Sequence, residues 1–100
     1  MQNALDLTLT VKVFKEASSK SCPFVAYNPE FDISSCGKTQ EEAQKMLKQA
    51  INLLLKGAEE DKTLDKVLED AGFSSNLQKP EIYFSLFSLP IKVPNKYVYA

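Results

Sequence analysis

The chain has 100 residues, of which 44% are hydrophobic and 25% charged, values typical of one small soluble globular domain. Twelve basic and thirteen acidic side chains leave a net charge of −1, which argues against a broad nucleic-acid-binding surface, because such surfaces neutralise phosphates with many cations. The absence of histidine removes the usual general base near neutral pH and the commonest metal ligand.

The first predicted element is a strand over residues 5–14, where apolar and polar side chains alternate strictly. An alternation with a period of two is typical of a half-buried strand. The apolar face of this strand carries Leu5, Leu7, Leu9, Val11 and Val13.

Two shorter strands follow a polar connection at residues 15–21. The second strand is predicted at 22–27 and the third at 33–36, separated by a turn at Asn28-Pro29 and ended by Gly37. Short links between consecutive strands predict an antiparallel meander. Glu30 and Asp32 in the turn are interpreted as side chains that bond to the local backbone, not as a catalytic acid pair.

The two cysteines, Cys22 and Cys36, flank this turn. If residues 22–27 pair with 33–38, Cys36 lies opposite Phe24 and Cys22 is its diagonal neighbour on the same face. This geometry allows only a strained disulfide, so the sequence favours two free, partly buried thiols in a reducing compartment. A zinc site would need more ligands at suitable spacing, and no metal is expected.

Two helices are predicted after the third strand. Thr39 and Glu42 form a capping box at the start of the first helix. Its apolar residues at 43, 46, 47, 50, 51 and 54 predict one buried face. The end of this helix is predicted at Gly57. The second helix opens at Thr63 and ends at Gly72, after which Phe73 is expected to make a hydrophobic contact.

A final strand is predicted at residues 81–89, with large apolar side chains on both faces. One face is expected in the core and the other on a contact surface, and an open edge of this strand would also pair with another chain. The alternative is that the second helix or the tail folds over these residues. With the tyrosines of the tail, the candidate partner or oligomer interface is Tyr83, Phe84, Phe87, Leu89, Tyr97 and Tyr99.

Together the elements predict one α+β domain over residues 1–100, with the order β-β-β-α-α-β, a core at about 5–89 and an aromatic tail at 90–100. A right-handed crossover through the helices lays the fourth strand parallel to the first, in the sheet order 3-2-1-4. Both helices are expected to cover the apolar face of the first strand.

The strand, turn, strand and capped helix over residues 24–54 carry an ordered series of residues: Phe24-Val25-Ala26, Pro29-Glu30-Phe31-Asp32-Ile33, Gly37-Lys38-Thr39, Glu42-Ala43 and Ala50-Ile51. This series resembles the core of the HicB family of antitoxins, and the resemblance extends over about residues 7–73. It implies a truncated ribonuclease-H-like core and a partner, a small basic mRNA-cleaving toxin of the HicA type. It also implies steric inhibition, in which the antitoxin covers the RNA surface and the active residue of the toxin.

The resemblance does not extend to enzymatic activity. Nucleases of the ribonuclease-H fold hold two metal ions with carboxylates in the first strand, on the first helix and near the end of the fourth strand. Here the first strand carries Thr8 and Thr10 at its middle, and the fourth ends at Ser88 and Pro90. The chain is therefore expected to have no catalytic residue, metal or cofactor.

Two further expectations concern partners and location. No basic helical pair follows Phe73, so direct DNA binding, which many family members achieve with a C-terminal module, is not expected. The alternative function is an orphan homo-oligomeric binding or scaffold protein of the same family, assembled through a sheet edge without a toxin. The N-terminus lacks the pattern of a signal peptide and no stretch has membrane-spanning length, which predicts a cytoplasmic protein.

Overall fold

A computed structural model describes residues 7–74, 83, 85, 86 and 88–94. Their elements are β1 (Lys12–Lys15), β2 (Phe24–Asn28), β3 (Ile33–Gly37), α1 (Gln40–Glu60) and α2 (Leu64–Asp70). The strands form an antiparallel sheet in the order β1-β2-β3, which confirms the α+β class and the meander. The predicted fourth strand at 81–89 lies largely outside the described residues, and its described positions belong to no strand.

The first strand is shorter than predicted, since β1 begins at Lys12. Lys12 pairs with Tyr27, and a continued register would place Thr10 opposite Pro29, which has no N–H to donate. Leu9 and Val13 pack against the core as expected, but Val11 is 43% exposed, so its predicted burial was wrong.

The predicted pairing of the second and third strands was wrong by one residue, because Val25 lies opposite Cys36. The prediction of two free thiols was also wrong, since Cys22 and Cys36 form a disulfide with their Cα atoms 5.5 Å apart. Cys22 precedes β2, so the pleat of the strand does not fix its position. The connection before β2 turns there, and the Cys22 N–H donates to Ser19 Oγ at 3.3 Å.

Helix α1 begins as predicted, with the Glu42 N–H donating to Thr39 Oγ1 at 3.0 Å. It continues past Gly57 to Glu60, so the predicted end was wrong. The predicted buried face was too wide, because Met46 is 41% and Leu54 36% exposed. A helix buries only one stripe against a sheet, and the sheet of the described residues has three short strands.

The core lies between α1 and the sheet. It consists of buried Ala26, Ala43, Leu47 and Ile51, packed against the partly buried Leu9, Val13, Phe24, Phe31, Ile33 and Leu55. Gly37 allows the close approach of β3 to α1, since a Cβ atom there would lie 2.6 Å from the Ala43 nitrogen. The glycine of the Gly37-Lys38-Thr39 series therefore has a structural role.

Helix α2 ends as predicted. Gly72 follows it with φ +98°, and buried Phe73 stacks on Phe31 with the ring centroids 6.2 Å apart. Among the described residues α2 contacts α1 and not the strands, so the expectation that both helices cover the sheet was wrong for α2. Phe73, which follows α2, packs on Phe31 in the turn between β2 and β3. In the described part of the chain, no helix has both the length and the hydropathy required to cross a membrane.

Candidate interaction surfaces

The turn between β2 and β3 is built on the fully buried side chain of Asn28. Its Nδ2 donates to the Thr10 carbonyl oxygen at 2.9 Å and to Glu30 Oε1 at 2.8 Å, and its Oδ1 accepts from the Phe31 N–H at 2.8 Å. Glu30 Oε1 also accepts from the Thr10 N–H at 2.6 Å. The Glu30 carboxylate thus binds the backbone of the segment before β1, 20 positions away along the chain, whereas the sequence predicted bonds to the local backbone of the turn.

Asp32 links the turn to the Tyr27 side chain of β2. It has φ 54°, a left-handed conformation that aspartate tolerates, and its Oδ1 accepts a hydrogen bond from the Tyr27 hydroxyl at 2.9 Å. This hydrogen bond raises the pKa of Tyr27 above its ordinary value of 10.0, with smaller contributions from burial and from the Asp32 charge. The phenol is therefore protonated at neutral pH and is a donor there, not a base.

In the described part of the chain, no helix covers the face of the sheet opposite α1. A shallow groove of about 570 Å³ runs across it, lined among others by Lys12, Phe14, Val25, Tyr27 and Cys36. The Lys12 ammonium lies 5.5 Å from the centre of the Phe14 ring, a cation–π distance. This face is a mixed aromatic and basic surface, with the Cys22–Cys36 bond at its margin.

An acidic surface lies over the end of α1 and all of α2. Residues 59–70 contain six carboxylates and two lysines, a net charge of −4, and all eight side chains are exposed. The whole chain has a net charge of −1, so the remaining residues carry +3. The total charge does not reveal this asymmetry, whereas the charge counted in short windows of the sequence does.

Only part of the predicted aromatic interface falls among the described residues. Tyr83 is 82% and Leu89 61% exposed, whereas Phe84, Phe87, Tyr97 and Tyr99 lie outside the described residues, so the interface stays a prediction. Ser85 and Leu86 line a wide groove with Tyr27 and Pro29. The structure thus brings Ser85 and Leu86 close to the turn between β2 and β3.

Nothing in the described ranges forms a group of three or more cysteine, aspartate or glutamate side chains able to hold a metal ion. A search for related proteins found no match to this chain among protein-family models, curated proteins or solved structures. The surfaces of the molecule are therefore the basis for any proposal about its function.

Proposed function

We propose that this chain is a HicB-like antitoxin that binds a small basic HicA-type toxin and neutralises it sterically. The resemblance over residues 24–54 supports this proposal, and its strand, turn, strand and capped helix are all present in the fold. The proposal requires no catalysis by this chain, only a surface that is complementary to the toxin.

The observation that carries the proposal is the acidic surface of residues 59–70, with its net charge of −4. A toxin that cleaves mRNA needs a basic surface to neutralise phosphates. An acidic protein surface competes for the same cations, accelerates the encounter and disfavours wrong partners. Binding through this surface would block the RNA from the toxin.

The test begins with the DNA that flanks the gene. An adjacent reading frame for a small basic HicA-like protein supplies the partner, and RNA cleavage by that protein is measured with and without this chain. We expect stoichiometric inhibition that weakens as salt screens the charges. Cleavage that is unaffected by an equimolar or excess amount of this chain would refute the proposal.

The acidic surface is tested by the double variant Glu59→Lys and Glu69→Lys. Both residues lie in the last turn of a helix, where a cation is favourable, so the fold should be retained. We expect the affinity for the toxin to fall by about tenfold or more. The matched control, Glu16→Lys with Gln44→Lys and Asn52→Lys, changes the net charge by the same +4 at exposed positions outside the acidic surface and should leave the affinity within about threefold of the wild-type value.

Because the chain has a disulfide, the test must include both its oxidised and its reduced form. Thiols are kept reduced in the cytosol, where a toxin of this type meets its mRNA. The inhibition assay is therefore run on the oxidised chain and on the chain reduced by dithiothreitol. We expect both forms to inhibit, because the acidic surface of residues 59–70 contains neither cysteine.

The second candidate is an orphan homo-oligomeric binding or scaffold protein, assembled through a sheet edge. β1 pairs only with β2 among the described residues, so its outer edge is available for another strand. Lys12 and Lys15 at this edge disfavour such pairing, which is why we place this candidate second. An oligomer that is lost in Phe14→Lys, in a chain without a neighbouring toxin gene, would favour it.

A further inference from the structure

An apolar groove lies beside α1, on the β1 side of the sheet. Helix α1 packs mainly on β2 and β3, so its flank over β1 has no cover in the described part of the chain. The groove has a volume of about 430 Å³, and its apolar lining comes from the segment before β1 and from α1: Leu7, Leu9, Val11, Leu47, Ile51 and Leu55. We call it the α1–β1 groove. No described residue after α2 lines it.

The outer edge of β1 borders this groove. On the inner side, the Thr10 backbone binds side chains of the β2–β3 turn, and the Glu16 N–H donates to the Pro23 carbonyl oxygen at 2.6 Å. Backbone groups of successive residues in an extended chain point to opposite edges, so those of Val11 and Val13 point outward. Among the described residues β1 pairs only with β2, and this outer row can therefore accept a further strand.

An apolar segment without cover lies at residues 88–94, which belong to no helix or strand. Its large side chains stand at alternate positions and are exposed: Leu89 (61%), Ile91 (69%) and Val93 (57%). The intervening Pro90 and Pro94 have no N–H. When extended, the segment can therefore join a sheet only by the edge that carries the N–H groups of the three large residues. The Ile91 N–H now donates to the Leu89 carbonyl oxygen at 2.9 Å, and this γ-turn has to open.

We propose that the segment 88–94 of one copy adds as an antiparallel strand to the outer edge of β1 in a second copy, and that the exchange is reciprocal. In an antiparallel pair, residues that face each other place their side chains on the same face of the sheet. The edge of the segment that keeps its N–H groups thus directs its large side chains into the α1–β1 groove. The facing pairs are Leu89 with Val13, Ile91 with Val11, and Val93 with Leu9.

The path of the chain requires the second copy. Ser85 and Leu86 line a groove with Val11 and Lys12 of their own chain. An antiparallel strand in the same chain would have to pass Val11 at Leu86, reverse, and return to Val11 at Ile91, and these few residues cannot hold both a turn and a strand. The same chain could add only in parallel, which would direct Ile91 to the opposite face of the sheet, away from the groove.

The charges favour this segment over a direct pairing of two β1 strands. Pairing of β1 with β1 over their full length places Lys12 opposite Lys15, and like charges directly opposite each other are destabilising. The exchanged segment places the uncharged Pro90 opposite Lys12. Its proline edge accepts no further strand, so the dimer is closed. The exchange does not depend on toxin binding, because the acidic surface shares no residue with the groove or the segment, and either proposal can fail alone.

The test is sedimentation equilibrium of the full oxidised chain between about 1 and 500 µM, the range in which small interfaces associate. The mass should rise from 11.2 kDa towards twice that value. Ile91→Lys places a charge on the segment and Val11→Asp places one in the groove, and each should raise the dissociation constant at least about tenfold. The controls Leu53→Lys and Met46→Asp change apolar residues of matching exposure, 70% and 41%, outside the groove. They should leave the constant within about twofold.

Mixing the two interface variants distinguishes exchange from other modes of association. Equimolar Ile91→Lys and Val11→Asp should form a heterodimer, because one contact is intact and the other pairs a lysine with an aspartate. Its dissociation constant should lie within about threefold of the wild-type value. NMR of mixed ¹³C-labelled and unlabelled wild-type chains should show NOEs between the methyl groups of Ile91 in one copy and Val11 in the other. Thermal melts at low concentration check that each variant is folded.

A chain that stays monomeric over the whole concentration range would overturn the proposal, and so would a dimer that tolerates Ile91→Lys. A dimer that Val11→Asp weakens and mixing does not restore would belong to direct pairing of the β1 edges, and the exchange would be wrong. NOEs between Ile91 and Val11 within one copy would place the segment in its own groove and would likewise overturn the exchange.

Discussion

The side-chain amide of Asn28 donates to the backbone carbonyl oxygen of Thr10 at 2.9 Å, at the point where β1 can no longer pair with β2. The continued register would place Thr10 opposite Pro29, which has no N–H. Asn28 and Glu30 therefore replace a strand partner with side-chain hydrogen bonds. The segment before β1 is fixed to the turn by these two side chains.

We expect Asn28→Ala to be strongly destabilising. The variant loses three hydrogen bonds and leaves the Phe31 N–H and the Thr10 carbonyl oxygen without this partner. A decrease of about 2–3 kcal/mol in the free energy of unfolding is expected from urea titration. Asn52→Ala, on the exposed side of α1, is the control and should change stability by less than about 0.5 kcal/mol. Equal effects of the two variants would contradict the role of Asn28.

Two glycine variants should have opposite effects on stability. A Cβ atom at Gly37 would lie 2.6 Å from the Ala43 nitrogen and 2.8 Å from Glu42 Cβ, so Gly37→Ala must displace α1 from β3. We expect a loss of about 2 kcal/mol or more. Gly57→Ala meets open space inside a helix and should gain up to about 1 kcal/mol at concentrations where the chain is monomeric. Urea titrations at about 1 µM compare the two, and a stabilising Gly37→Ala would show that the β3–α1 contact is not close.

Reduction of the disulfide should lower stability. Cys22 and Cys36 are separated by 14 positions. A disulfide that closes a loop of this length lowers the entropy of the unfolded chain and so raises the free energy of unfolding by about 3 kcal/mol. The midpoint of urea unfolding should therefore fall on addition of dithiothreitol. The variant Cys22→Ser with Cys36→Ser should resemble the reduced protein and be insensitive to the reductant. A reductant effect on the double variant would point to another cause.

The hydroxyl of Tyr27 should titrate at higher pH than an ordinary tyrosine. Its hydrogen bond to Asp32 favours the protonated phenol, and its pKa is raised. Because the pKa in the folded state exceeds the unfolded value, the stabilisation is complete below about pH 10 and is lost as the pH rises through the raised pKa. In Asp32→Asn, which keeps a side chain that tolerates positive φ, the pKa should return towards the ordinary value. NMR titration of the Tyr27 ring measures its pKa in the wild-type chain and in Asp32→Asn. Identical titration curves of the two would contradict the role of Asp32.

Local patterns predicted the elements that depend on nearby residues. The alternation around the Asn28-Pro29 turn gave the second and third strands to within two residues, and Thr39 with Glu42 marked the start of α1. Gly72 marked the end of α2, since its φ of +98° suits glycine. These features rest on backbone hydrogen bonds and dihedral preferences within a few residues, which the sequence records directly.

The interaction surfaces could be predicted only in part. Tyr83 and Leu89 are exposed, Phe84, Phe87, Tyr97 and Tyr99 lie outside the described residues, and the aromatic interface as a whole stays a prediction. The acidic surface could have been found from local charge. The exposure of Met46 could not be predicted, because Met46 shares the helical spacing of the buried residues of α1 and only the extent of the sheet decides which of them is covered.

By itself, the amino-acid sequence determined the class of the fold, the antiparallel meander and the capped helix that follows it. The tertiary structure decided the register of β2 and β3, the bond between Cys22 and Cys36, and the exposure of Met46 and Leu54. The periodicity of a sequence shows which side chains share a face of an element. Register, disulfide pairing and burial depend instead on the distances between elements and on how much of each element its neighbours cover.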